Sequence, residues 1–212
     1  IPTDSQFASA TALRKLCATH HSDILQSFMP EASYNILNNA MENGNIVKDI
    51  SDFDEIIIYT LRKMSTNEIA NLPDVSEGLE YAIKDAANSC NSVVELLTLI
   101  DTKRYTKTRL QRILLYAILG ITKDDMQLSK KVAPYIRILG FNENGKKIIS
   151  EASKRNPKLN LITSPKKFMD GSSNKNLKHL LQKDIWASNV YTLGFEYESK
   201  SNLDYTHKLI IV

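Results

Sequence analysis

The alternation of apolar and polar positions predicts helices along most of the chain. Segments such as "DFDEIIIYTLRKM" and "SEGLEYAIKDAANSC" place apolar residues three or four positions apart, as on one face of a helix. "SVVELLTLI" and "TRLQRILLYAIL" continue this pattern, and glycine and proline are scarce, at 7 and 6 residues. The run Ile56–Ile58 would also suit a strand, but the charges on both sides of it favour a helix.

Several predicted helices have residues at their ends that commonly start or stop a helix. Ser9 or Thr11 can cap a helix in "SATALRKL", and Thr106 can cap the one that carries "TRLQRILLYAIL". "PEASYNILNNAMENG" opens with Pro30 in a first-turn position and closes on Asn43 and Gly44.

The pattern changes after Lys131. "APYIRILGF" and "LNLIT" predict two strands, and "NENGKKIISEASKR" between them predicts a helix capped by Asn142. A strand, a helix and a strand joined by short links predict a small parallel sheet. "SPKKFMDGSSNKN" is polar and predicts a loop, "LKHLLQKDIWASNVYTL" predicts a helix with Trp186 in the core, and "DYTHKLIIV" can form a last strand. The predicted fold class is mainly α, a helical bundle-like region followed by a small α/β unit with a short parallel sheet.

Composition changes this picture little. The 212 residues are 24% charged and 42% hydrophobic, an ordinary globular balance, and the net charge of +3 is too small to diagnose nucleic-acid binding. Two distant cysteines without a CxxC motif suit a reducing cytoplasm. No apolar run approaches the roughly 18 residues of a membrane span, and the first residues do not resemble a secretory signal. Because the chain lacks an initiator methionine, we expect a piece of a longer protein.

No complete active site can be recognised from residue types and spacing. His20 and His21 are adjacent and so do not face each other on a helix, and no other histidine has a ligand-spaced partner, so no metal site is expected. No Ser-His-Asp or Cys-His order and no glycine-rich phosphate loop stand out. We therefore expect no catalytic residue in this chain.

A basic stretch, "TKRYTKTRLQR", is the first candidate binding element. It holds Lys103, Arg104, Tyr105, Lys107, Arg109 and Arg112. Helical spacing puts Arg109, Arg112 and Tyr116 opposite the apolar face of the helix that follows. Two guanidiniums and a phenol in that arrangement suit the phosphates and unpaired bases of a polyanion. They equally suit a solvated face whose arginine stems cover apolar surface.

The stretch "ASATALRKL" is the second candidate. Hydroxyl residues at a helix N-terminus leave free amides at the positive end of the dipole, where a phosphate can bind. Arg14 follows about one turn inside, where it can reach the same anion. The alternative is a plain serine or threonine cap with a surface arginine.

Five strings in order carry a resemblance to a known family: "ASATALRKL", "EGLEYAIKDAA", "LLTLIDTKRYTKTRLQRILLYAILGI", "APYIRILGFNENGKKII" and "LNLIT". Together they resemble the bacterial tRNA(Met) cytidine acetate ligase family, over about Ser9 to Tyr191. Members of that family have an N-terminal nucleotidyltransferase domain with an HxGH motif and a largely helical C-terminal region. They use ATP to activate acetate as acetyl-adenylate and acetylate the wobble cytidine of elongator tRNA(Met) to 4-acetylcytidine, without acetyl-CoA.

The resemblance implies roles for both candidate stretches. Arg14 would contact ATP, which we expect to carry Mg²⁺, with Ser9 and Thr11 near the phosphates. Lys103, Arg104, Tyr105, Lys107, Arg109 and Arg112 would face the tRNA. Residues 1–18 would end the nucleotidyltransferase domain, 19–130 would form the helical tRNA-binding region, and 131–212 a small α/β C-terminal region.

The chain departs from the family pattern because no HxGH motif is present, the adjacent histidines reading "THHSD". We therefore expect it to be inactive alone and to work with a missing N-terminal nucleotidyltransferase domain, and a homodimer is a further candidate assembly. Two other functions stay open: a nucleotidyltransferase acting on a small metabolite, with a helical oligomerisation or regulatory region, and a helical interaction module without a ligand.

Overall fold

The computed structural model describes residues 8–18, 22–76, 78–100, 104–132 and 135–212. The first part is helical, with α1 (Ala10–Ala18), α2 (Ser22–Gln26), α3 (Glu31–Glu42), a 3-10 helix (Ile50–Phe53), α4 (Asp54–Lys63), α5 (Thr66–Ala70), α6 (Leu79–Ser89), α7 (Val93–Ile100), α8 (Lys107–Leu119) and α9 (Lys123–Lys131). The second part holds β1 (Tyr135–Arg137), β2 (Gly140–Phe141), α10 (Glu143–Arg155), β3 (Asn160–Ile162), α11 (Pro165–Gly171), α12 (Lys175–Tyr191), a 3-10 helix (Thr192–Gly194), α13 (Leu203–Thr206) and β4 (Ile210–Ile211). The mainly-α prediction is confirmed.

The larger core lies among α4 to α8. In α8, the apolar face predicted from the sequence is the buried one, formed by Leu110, Ile113, Leu114, Ala117 and Ile118. Ile57, Ile58 and Leu61 of α4 are buried in the same core, so the isoleucine run belongs to a helix and not to a strand. Burying such side chains contributes about 1.5 to 3 kcal/mol each, which outweighs the weak helix propensity of isoleucine.

Caps define where these helices begin and end. The Ser9 hydroxyl accepts a hydrogen bond from the Ala12 amide at 3.2 Å, so Ser9 caps α1 and Thr11 lies inside it. The Thr106 hydroxyl accepts from the Arg109 amide at the start of α8. Gly120 follows α8 with a φ of 60°, a left-handed conformation that favours glycine. Thr106 and Gly120 thus define the two ends of α8.

The second part contains the predicted parallel sheet. β1 and β3 pair in parallel, with Ile136 opposite Leu161, and α10 connects them with its predicted cap at Asn142. β2 pairs in parallel with β4, so the predicted last strand is present but is limited to Ile210–Ile211. The described residues of "APYIRILGF", Tyr135–Phe141, form two short strands instead of one, because the chain leaves β1 at Ile138 to reach the second sheet.

Two expectations for this part were wrong. The segment predicted as a loop contains α11, in which Ser164 caps the helix and Pro165 occupies its first turn, a strong local start signal. Trp186 is not in the core, since 47% of its surface is exposed. The smaller core is instead formed by Ile162, Leu181 and Ile185, with Phe168 and Tyr205 packed against it.

Helix α12 joins the two parts. Its Leu181 and Ile185 belong to the smaller core, whereas Val190 near its end is buried in the larger one. After α12 the chain returns to the end of α3, where the Glu196 amide donates to the Gly44 carbonyl at 2.9 Å. Within the described ranges, no helix has both the length and the apolar character needed to cross a bilayer.

Candidate functional site

The basic stretch forms a turn followed by the first half of α8. Tyr105 is half-buried against the larger core, and its ring lies under two guanidiniums, with Arg109 at 4.9 Å and Arg104 at 5.9 Å from the ring centroid. Cation–π contacts of this kind hold a cation in place without neutralising its charge. Arg104 and Lys107 are exposed, and Lys103 lies outside the described residues.

Arg109 and Arg112 bind the connection between α5 and α6. We name residues 71–76 the Asp74 loop. Arg109 donates from Nε and Nη2 to the Asp74 carbonyl, at 3.1 and 2.6 Å, and from Nη2 to the Ser76 hydroxyl at 3.0 Å. Arg112 donates from Nε and Nη2 to one Asp74 carboxylate oxygen, at 3.1 and 2.8 Å. The two arginines therefore point away from the apolar face as predicted, but they fasten a neighbouring loop.

The electrostatics of this contact favour the charged arginine. The hydrogen bond with Asp74, and the attraction between the two charges, hold the pKa of Arg112 above its ordinary value. Asp74 has a φ of 64°, a conformation that aspartate tolerates better than most residues. The Arg112 side chain is still 53% exposed, so it can meet another anion on its outer side.

Lys123 holds the same loop from α9. Its ammonium donates to the carbonyls of Ala70 and Val75, at 2.7 and 3.0 Å, and its amide donates to the Asn71 carbonyl. The Asp74 loop is thus surrounded by three cationic side chains. Pattern analysis missed this arrangement because the contacts span more than thirty residues of sequence.

The predicted nucleotide-binding residues lie in the first turns of α1. The Ser9 hydroxyl is engaged as the cap, and Thr11 and Arg14 are exposed. Because residues three apart are neighbours on a helix surface, Thr11 and Arg14 share one side of α1. A hydroxyl, the positive end of a helix dipole and a guanidinium together suit an anion such as a phosphate.

A second polar cluster joins α9 to α12 and was not predicted. Asp125 contacts His179 at 2.5 Å and Lys183 at 3.4 Å, and Thr122 donates to it from both its amide and its hydroxyl. Partial burial opposes ionisation of Asp125, but the hydrogen bonds from His179 and Thr122 and the Lys183 charge outweigh it and lower its pKa to about 2. The available sequence signal was the spacing of His179 and Lys183, one helical turn apart.

The described residues offer neither a metal site nor a reactive thiol at Cys90. Among the described residues, no group of three histidine, cysteine, aspartate or glutamate side chains could hold a metal ion. Cys90 is buried in the larger core, and burial raises the pKa of its thiol, so it packs as a small apolar residue.

Comparison with known proteins identifies relatives over nearly the whole chain. The model of the HIGH Nucleotidyl Transferase family matches residues 2–206. The tRNA(Met) cytidine acetate ligase of Thermoanaerobacter pseudethanolicus is 36% identical over 97% of this chain and 49% of its own length. The same-named proteins of Acetivibrio thermocellus and Clostridium perfringens are 35% and 34% identical, over 51% and 48% of their lengths. The chain therefore spans about half the length of the curated relatives it matches.

Solved structures share the fold. Thermotoga maritima TmcAL, in a crystal structure described as bound with alpha-thio ATP, superposes with a TM-score of 0.87 and 24% identity. The match covers 98% of this chain and 52% of that one. The apo crystal structure of the same protein gives a TM-score of 0.88 over 99% of this chain.

Proposed function

The chain belongs to the HIGH nucleotidyl transferase family, and from that premise we propose that it is the tRNA-holding part of an ATP-dependent tRNA(Met) cytidine acetate ligase. The observation that carries the proposal is the match to curated ligases of that name over 97% of this chain at up to 36% identity. The exposed cations of the basic turn and the anion-binding chemistry at the start of α1 support it.

The reaction of such a ligase has two steps. Acetate attacks the α-phosphorus of ATP, which gives acetyl-adenylate and pyrophosphate. The exocyclic amine of the wobble cytidine then attacks the acetyl carbonyl, and AMP leaves. In this scheme no acetyl-CoA is needed, and Mg²⁺ would accompany the ATP phosphates.

We assign the first turns of α1 to the nucleotide. The amides at its N-terminus and the Arg14 guanidinium would stabilise the negative charge that develops on the phosphates during adenylation. Ser9 and Thr11 would lie beside the phosphates. The catalytic groups would come from the part of the ligase that bears the HxGH motif, so this chain alone is expected to be inactive.

We assign the basic turn to the tRNA backbone. Arg104 and Lys107 are both exposed, Arg104 just before α8 and Lys107 at its first residue, and the Arg104 guanidinium lies over the ring of Tyr105. Arg109 and Arg112 would contact phosphates with the side of each guanidinium that faces away from the Asp74 loop. Lys103 completes the proposed tRNA contacts. Contacts to phosphates set the position of a tRNA without reading its sequence, so the wobble base can be presented to the acetyl-adenylate.

The test is direct binding of this chain to elongator tRNA(Met) over a salt series. Charge reversal at Arg104→Glu/Lys107→Glu avoids the two arginines that fasten the Asp74 loop. We expect this variant to bind tRNA more weakly. The slope of log K against log salt concentration should also become less steep, by about one for each phosphate contact that is lost.

Lys146→Glu/Lys147→Glu on α10 is the matched control, because it makes the same change in charge at exposed lysines of the α/β part. Equal losses in the two variants would mean that only net charge matters, and would remove the basic turn from the interface. Unchanged affinity and slope in the basic-turn variant would have the same consequence.

A further inference from the structure

A cavity of about 450 Å³ lies between the end of α8, α12 and α13. One face of α12 supplies most of its polar wall. His179, Gln182, Lys183, Trp186 and Asn189 recur at the three- and four-residue spacing of a single helix face, and all of them line the cavity. Of the buried residues of α12, Leu177 and Leu181 do not line the cavity, whereas Ile185 lines it from the smaller core. Most of the α12 residues that line the cavity are therefore polar or aromatic side chains of one helix face.

Trp186 is the single tryptophan of the chain, and nearly half of its surface is exposed in this cavity. A large aromatic side chain is ordinarily buried, because burial removes a large apolar area from water. Here the indole N–H donates to the Ile118 carbonyl at 3.4 Å, a contact that orients the ring without covering it. The result is an oriented aromatic surface at the edge of the α8–α12 contact.

The groups beside the indole are cationic or amide. Lys183 donates to the Gly120 carbonyl and pairs with Asp125, so its ammonium is held at the cavity wall about one turn from Trp186. On the other side of the indole, the Asn189 side chain accepts from the Asn202 amide at 2.6 Å. Among the described residues, no carboxylate lines this cavity.

These properties match one ligand chemistry. A flat base stacks on an indole, a phosphate attached to that base is attracted by the Lys183 ammonium, and amide groups hydrogen-bond to the edges of a base. We propose that the cavity binds an unpaired nucleotide of RNA, with its base stacked on Trp186. This inference rests on the proposed tRNA-binding function, and it adds a second contact away from the basic turn.

The experiment uses the tryptophan fluorescence of the chain, excited at a wavelength that tyrosine does not absorb, so that the emission reports on Trp186, the single tryptophan. Elongator tRNA(Met) and a short single-stranded RNA are titrated into the 212-residue chain, while the anisotropy of a dye on the RNA measures total binding. We expect both RNAs to quench the tryptophan emission in parallel with the rise in anisotropy. Trp186→Leu should weaken binding about tenfold, from the typical value of one base stack, and Trp186→Phe should restore most of it.

Tyr191→Leu is the matched control. Tyr191 lies on the same helix and is 49% exposed, but it does not line the cavity, so its loss should leave affinity unchanged. RNA binding by anisotropy without quenching would overturn the stacking proposal and leave the proposed function intact. Quenching by free CMP or ATP at lower concentrations than by RNA would assign the cavity to a mononucleotide instead. Absence of RNA binding at low salt would overturn both proposals together.

Discussion

The two parts of the molecule are held together by different forces. The larger core, among α4 to α8, buries a continuous set of aliphatic side chains, many of them fully inaccessible to water. The smaller core buries Ile162, Leu181 and Ile185, and polar pairs surround it. There the Tyr135 hydroxyl donates to Asp184, and Arg137 pairs with Asp204. The helical part is thus stabilised chiefly by apolar burial, and the α/β part depends on charges in defined positions.

This difference follows from the lengths of the elements. Helices of ten or more residues can present a whole apolar stripe, as α8 does. Strands of two or three residues cannot, so β1 to β4 gain little from burial and need side-chain pairs to hold their register. The first part should therefore respond to changes in side-chain volume, and the second to changes in charge and pH.

The largest expected effect is a cavity in the larger core. Leu61→Ala removes a fully buried side chain of α4 and should lower the free energy of unfolding by about 2 to 5 kcal/mol. Chemical denaturation measures the change. Leu99→Ala, at a site that is 55% exposed on α7, should cost less than about 0.5 kcal/mol. Similar costs for the two would contradict the importance assigned to burial.

The next effect concerns the ion pair of the α/β part. Arg137→Met leaves the largely buried Asp204 carboxylate without its cation, and one of its oxygens has no hydrogen-bond partner among the described residues. We expect a loss of about 2 to 4 kcal/mol in the free energy of unfolding. The double variant Arg137→Met/Asp204→Leu should recover much of it. No recovery would mean that the arginine acts by packing alone.

A smaller effect should appear with pH, through Asp125. Its pKa in the folded protein is about 2, below the ordinary value of 3.8. A lowered carboxyl pKa contributes stability that is fully present above about pH 4 and is lost as the pH falls to about 2, by about 1 to 2 kcal/mol here. Denaturation between pH 5 and 2 measures it. Asp125→Asn should flatten that part of the profile, and an unchanged slope would exclude Asp125 as its source.

The smallest effect is expected at the surface of the helical part. Asp74→Asn keeps a residue that tolerates the left-handed conformation and removes the charge paired with Arg112. Because exposed pairs contribute little, thermal stability should barely change. Affinity for tRNA should rise by about two- to threefold, since a repulsive charge leaves the basic surface. A fall in affinity would show that the ordered Asp74 loop is itself required.

Much of the fold in both parts could be predicted from the sequence. The apolar stripe of α8, the caps at Thr106 and Asn142, and the parallel pairing of β1 with β3 all followed from local spacing. The family resemblance is also confirmed by the comparisons. The stripe and the caps depend on neighbours a few residues apart, and the parallel pairing of β1 with β3 follows from the order strand, helix, strand with short links.

The rest depends on contacts between distant residues. The periodicity of α12 predicted that Trp186 is in the core. One face of this helix packs on the smaller core, but Trp186 lies on a face that lines a cavity. The attachment of Arg109 and Arg112 to the Asp74 loop spans more than thirty residues and has no local signature. The polar composition of the α11 segment predicted a loop, although its serine cap and first-turn proline are sequence signals for the start of a helix.

Helix α12, with Leu181 and Ile185 in one core and Val190 in the other, has a consequence for how the protein unfolds. If this helix detaches, both cores lose buried side chains at the same time. The α/β part therefore cannot unfold while α12 stays fully packed. Heating should therefore produce a single cooperative transition rather than two. The backbone amides in the middle of α12 should then exchange their hydrogens only through global unfolding.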